Sequence, residues 1–105
     1  MSGGQTLLDL TTTALEMKGL SVSSAVKTLA DFSFASTSTA APKRAIITSV
    51  TDGIMVSWDG TNPTSTLGHA CPVNQTIVVQ GSRNISNLKM IRVTTDAAVT
   101  ITLEG

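Results

Sequence analysis

Apolar and polar positions alternate with a period of two along much of the chain after Leu20, and that period predicts strands. The clearest stretch is 54–58, where Ile54, Val56 and Trp58 fall on one face and Met55 and Ser57 on the other. Asp59-Gly60 then predicts a tight turn, since Asp bonds backbone two residues on and Gly admits positive φ. Upstream, 45–50 is a β-branched run, and Thr51-Asp52-Gly53 predicts a hairpin turn leading from it into the Ile54 strand. Phe32 and Phe34 are predicted to share one side of a strand and to enter the core, and 35–42 (ASTSTAAP) reads as a loop. The stretch 69–75, with Pro72, reads as irregular. The stretches 76–79 and 88–94 predict strands, with a short turn at Ser86-Asn87 between them. The last stretch, 97–103, sets Val99, Ile101 and Leu103 against Thr100 and Thr102.

Six or seven short strands are expected in all. Turn signals recur every eight to twelve residues or so, which argues for an all-β fold. The connections are too short for helical crossovers, so the strands are antiparallel. The expected architecture is an antiparallel β-sandwich, jelly-roll-like or Ig-like, over residues 20–105. Residues 1–19 are set apart as an N-terminal arm. Leu7, Leu10, Ala14 and Met17 recur at helical spacing, with Leu8 and Leu15 beside them, but Thr11, Thr12 and Thr13 disfavour a helix. The arm is therefore read as extended or as a short helix, with a first strand of the domain's own sheet as the further alternative. If it crosses to a neighbour, Leu7, Leu8, Leu10, Leu15 and Met17 are its candidate partner contacts.

Composition changes this picture in one respect. At 105 residues the chain is one domain, and aromatics make up only 3%, so Val, Ile, Leu, Ala and Met must build the core. Charged residues are 13%, about half the usual share. Charge keeps monomers apart, so a surface this poor in it suggests cover by copies of the chain or by a partner. Net charge is zero with no basic stripe, which argues against nucleic acid. No stretch reaches the roughly 20 apolar residues of a membrane span. The opening MSGGQTLLDL lacks the features of a signal peptide, and folding in a cytoplasm is expected.

Candidate chemistry is thin. His69 and Cys71 lie two apart, but the chain holds no other His or Cys to complete a metal site, and no third group marks them as a nucleophile pair. Neither a metal nor a cofactor is expected. A buried or half-buried loop thiol is the preferred account of Cys71. Asp52 and Asp59 flank the Ile54 strand, yet both stand in Asp-Gly turns, where Asp serves the backbone. Asp59, Thr61, Asn62 and Thr64 form a polar loop that is a candidate contact surface. Lys43-Arg44 is a lone basic pair. Trp58, if exposed, offers a stacking surface for a sugar ring, though core packing is preferred. No phosphate loop, GxSxG elbow or HExxH is present, so no enzyme is expected.

The order of features from Ala45 to Leu103 resembles a known group. Asp59-Gly60-Thr61, Pro63-Thr64 and Thr66-Leu67-Gly68-His69 are followed by an apolar strand and Gly81. Then come Asn87-Leu88-Lys89-Met90-Ile91-Arg92 and the alternating Val99-Thr100-Ile101-Thr102. This looks like the small β-sandwich virion proteins of tailed bacteriophages, although Cys71-Pro72 departs from their pattern. The resemblance covers a little over half the chain. It implies a structural role in the particle: capsid decoration or cement, or else a neck, tail or head-fibre part. It implies assembly as a homo-oligomer of three or more copies, docking on another virion protein such as the major capsid protein, and location in the virion after synthesis in the bacterial host cytoplasm. A carbohydrate-binding β-sandwich module is the alternative from another class.

Overall fold

The structure, a computed structural model, describes residues 14–34 and 42–105. Eight strands run in chain order among the described residues: β1 (Ala14–Val22), β2 (Lys27–Thr28), β3 (Arg44–Ser49), β4 (Ile54–Ser57), β5 (His69–Cys71), β6 (Thr76–Gln80), β7 (Lys89–Arg92) and β8 (Ala97–Glu104). A 3-10 turn, Leu29–Phe32, follows β2, and a short helix α1, Ser82–Ser86, follows β6. They form two four-stranded antiparallel sheets, ordered β1-β8-β3-β6 and β2-β7-β4-β5. From the β4–β5 connection outward, each strand finds its mirror: β4 with β5, β3 with β6, β2 with β7, β1 with β8. β3–β8 and β4–β7 pairing completes the sheets.

Alternation dictates what is buried. In β8, Ala97, Val99, Ile101 and Leu103 are buried, and in β3, Ala45, Ile47 and Ser49 are. Register places Ile47 opposite Ile101 and Ala45 opposite Leu103. Ile54, Val56, Cys71 and Met90 of the second sheet join the same cluster. Burying a side chain of this kind contributes roughly 1.5–3 kcal/mol.

Several expectations are corrected. Thr51-Asp52-Gly53 is not a hairpin turn: it carries the chain from β3 in the first sheet to β4 in the second. Ile47 and Ile54 both need the core, and crossing between sheets lets both strands face it. The boundary expected at residue 19 falls inside β1, which pairs with β8 from Ala14 to Val22. Residues 14–19 thus belong to the sheet, neither helix nor free arm, as the first-strand alternative had it. Residues 1–13, including Leu7, Leu8 and Leu10, lie outside the described residues. Phe32 and Phe34 reach the core from the 3-10 turn and its exit, not from a strand; their rings stack with centroids 5.9 Å apart. Ser33 between them has φ 59°, which breaks strand geometry. The stretch read as irregular begins with β5, and Ile85 sits in α1.

Candidate functional site

β4 ends at Ser57 and delivers Trp58 to the end of the second sheet, and β5 returns with His69 alongside. The Trp58 and His69 rings stack, centroids 4.5 Å apart and planes at 16°. They help to line a cleft of about 410 Å³, with Ser57, Asp59, Thr61, Pro63, Leu67 and Gly68 around it. Trp58 is half-buried and packs against the core.

The loop around the cleft is tied by its own polar residues. Thr61 N donates to Asp59 Oδ1 at 2.9 Å, closing an Asx turn, and Gly60 takes φ 92° behind it. Ser57 Oγ donates to Thr61 O at 2.5 Å. Thr64 and Leu67 exchange backbone bonds of 2.9 and 3.3 Å, and Thr64 Oγ1 accepts from the amides of Thr66 and Leu67. From β7, Lys89 Nζ donates to Gly60 O and to Asn62 Oδ1, both at 2.9 Å. The Thr61 amide, then the Thr61 hydroxyl, hold the Asp59 carboxyl below the usual carboxylate range.

Of the candidate loop residues, Asp59 and Thr61 line the cleft, while Asn62 and Thr64 hold the loop together. Leu67 and His69 also line the cleft, and no local pattern in the sequence marks them for it. Their only signal is proximity to Trp58 across a loop whose closure the sequence does not show.

The other candidates are dispersed. Asp52 lies beyond the opposite end of β4 from Asp59, so the two carboxyls do not form a pair. Asp52 accepts from Gly53 N at 2.7 Å and from the amide and hydroxyl of Thr95, and the Thr95 hydroxyl above all holds its carboxyl below the usual range. Cys71 is a fully buried free thiol on β5, not in a loop; burial pushes its pKa up, and its Sγ donates to Gln75 O at 3.3 Å. Arg44 binds Glu104, Nε to Oε1 at 2.6 Å. Among the described residues no group of three or more His, Cys, Asp or Glu side chains is placed to hold a metal ion, and no helix is long and apolar enough to cross a membrane.

A second surface emerges from register. Across the outer face of the first sheet run Met17, Thr102, Ile46 and Val78 in one row, one residue from each strand. The adjacent row is Gly19, Thr100, Thr48 and Thr76, with Thr48 Oγ1 and Thr76 Oγ1 bonded at 3.0 Å. Met17 is 67% exposed and Val78 50%. The Arg44–Glu104 pair forms the charged border of these rows. Leu15 and Met17, expected as arm contacts, thus sit on β1 beside or within this face. Comparison with known proteins finds no matching family model, no matching curated protein and no matching solved structure.

Proposed function

We propose that this chain is a structural subunit of a bacteriophage virion, a decoration or cement protein of the capsid that acts by self-association and by binding a second virion protein such as the major capsid protein. One observation carries the reading. An apolar and threonine-lined surface crosses all four strands of the first sheet, and the charges at its border neutralise each other. Sheet faces of that kind suit a protein contact better than they suit water. The mirror pairing of strands 1–8, 2–7, 3–6 and 4–5 fits a jelly-roll sandwich, an architecture that viral capsid domains use. A fold alone does not assign a function, so the surface carries the proposal. A neck, tail or head-fibre part would use the same surface.

Light scattering on the purified chain, with mass spectrometry of purified particles, tests the reading. Oligomers in solution and the chain in the particle are expected. A monomer at every concentration, missing from particles, would sink it.

The Trp58 cleft supports a second reading, a carbohydrate-binding module. Trp58, Asp59 and Thr61 place one ring and two polar groups around about 410 Å³. Sugar rings stack on indoles, so quenching or enhancement of Trp58 fluorescence across a glycan panel is its test; a flat response removes it.

A further inference from the structure

The four outer strand edges of the two sheets are not alike. A free edge is a row of unpaired amides and carbonyls, and proteins normally blunt it with short strands, proline, bulges or inward-pointing charge. β2 is two residues long. β5 is three residues long and runs straight into Pro72. β1 has a register irregularity between Ala14 and Glu16, and at the core-side positions of its strand it carries Glu16 and Lys18, ion-paired at 3.7 Å. β6 has none of these devices. Its sequence TIVVQ is uncharged and rich in β-branched residues, and its five residues match β3 in unbroken register from Arg44–Gln80 to Thr48–Thr76. Among the described residues no strand pairs with its outer side.

Ladder parity says which groups face outward. Ser49 N donates to Gln75 O at 3.3 Å, and Gly81 N donates to Lys43 O at 2.8 Å, bracketing the strand. Antiparallel ladders alternate, so Ile77 and Val79 also bond to β3, and Thr76, Val78 and Gln80 turn their backbone groups away from it. One of those groups, the Gln80 carbonyl, accepts from Asn84 Nδ2 at 2.9 Å and keeps a second lone pair.

We infer that β6 pairs antiparallel with β6 of a second copy about a two-fold axis at Val78, joining two four-stranded sheets into one of eight strands. A two-fold contact sets each residue against itself or its mirror, so it needs an uncharged centre. This register provides one: Val78 faces Val78 of the other copy, and Thr76 faces Gln80. Each of these pairs exchanges two backbone bonds. The row Met17–Thr102–Ile46–Val78 then continues through the axis into its copy, doubling the apolar stripe. The inference rests on the proposed self-association and names the strand that performs it.

The test is amide exchange by NMR and light scattering on the full chain, from roughly 1 μM to 1 mM. The expected species has twice the 10.8 kDa chain mass, or an even multiple of it. The amides of Thr76, Val78 and Gln80 are expected to be protected when concentrated and to lose that protection on dilution, while Ile77 and Val79 stay protected throughout. Val78→Pro removes an outward N–H that β3 does not use, so the variant should fold and halve the mass. Val78→Lys puts like charges at the axis and should do the same, which covers the case in which the proline variant fails to fold. An oligomer that survives both substitutions, or whose Thr76, Val78 and Gln80 amides exchange freely, overturns the β6 contact and leaves self-association standing. A monomer throughout overturns both. Protection that ignores dilution and vanishes on deleting residues 1–13 would show that the chain's own N-terminal segment covers the edge, and would also overturn the inference.

Discussion

The indole of Trp58 stacks on the imidazole of His69, centroids 4.5 Å apart, although eleven positions separate the two residues in the chain. The stack closes the loop between β4 and β5, the innermost turn of the whole strand arrangement. Aromatic pairs contribute about 0.5–1.5 kcal/mol beyond their area. His69→Ala should therefore lower unfolding free energy by about that amount and red-shift Trp58 emission as water reaches the ring. Denaturant melts followed by circular dichroism and by fluorescence check both. An unchanged emission maximum would mean the stack does not shield the indole.

Gly68 is the more crowded of that loop's two glycines. Its φ is 139°, and an added Cβ would lie 3.2 Å from Val56 O and 3.3 Å from Met55 Cβ. The backbone conformation and the crowding act together, so Gly68→Ala should cost more than about 1 kcal/mol. Gly60→Ala offers the comparison: its φ is 92°, but nothing lies within 4 Å of the added carbon, so strain alone should make it the milder change. Thermal melts of the two variants measure the difference.

Asp52 ties the crossing between sheets to the β7–β8 loop through Thr95. Its carboxyl is held below the ordinary range, first by the Thr95 hydroxyl and then by the Gly53 amide; Asp31 and Asp59 shift the same way through the amides of Thr28 and Thr61. A depressed folded pKa gives stability that is fully present above the unfolded value and is lost as pH falls through the folded one. Tm should hold between pH 7 and about 5 and fall below about pH 4. Asp52→Asn should lower Tm at pH 7 and flatten the acid limb. A limb of unchanged slope would remove Asp52 from the account.

Cys71 is fully buried and stands opposite Ile54 in the β4–β5 ladder. Burial raises its pKa, so little thiolate forms at neutral pH and reagent must wait for opening. A thiol-reactive dye should label the native chain far more slowly than the chain in denaturant, and Cys71→Ala should cost about 1 kcal/mol. Fast labelling of the folded chain would show that β5 opens readily.

Local pattern alone makes several elements legible. The alternation of Val99, Ile101 and Leu103 with Thr100 and Thr102, the β-branched run ahead of Val50 and the apolar residues near Val79 each mark a strand, because side-chain direction along a strand depends only on neighbouring residues. The Asp59-Gly60 turn is legible for the same reason: Asp59 bonds its own loop at Thr61.

Pairing across long stretches of chain is decided by tertiary structure alone. Thr51-Asp52-Gly53 has the residues of a hairpin, yet β3 and β4 part there, because β8 and β6 flank β3 while β5 and β7 flank β4. The same holds for the stacking of Trp58 on His69, the row from Met17 to Val78, and the bare outer edge of β6. Residue type sets which face of a strand is buried, since that is a matter between each side chain and water. Which strand lies beside which depends on closing one core among all of them at once, and only the folded chain settles that.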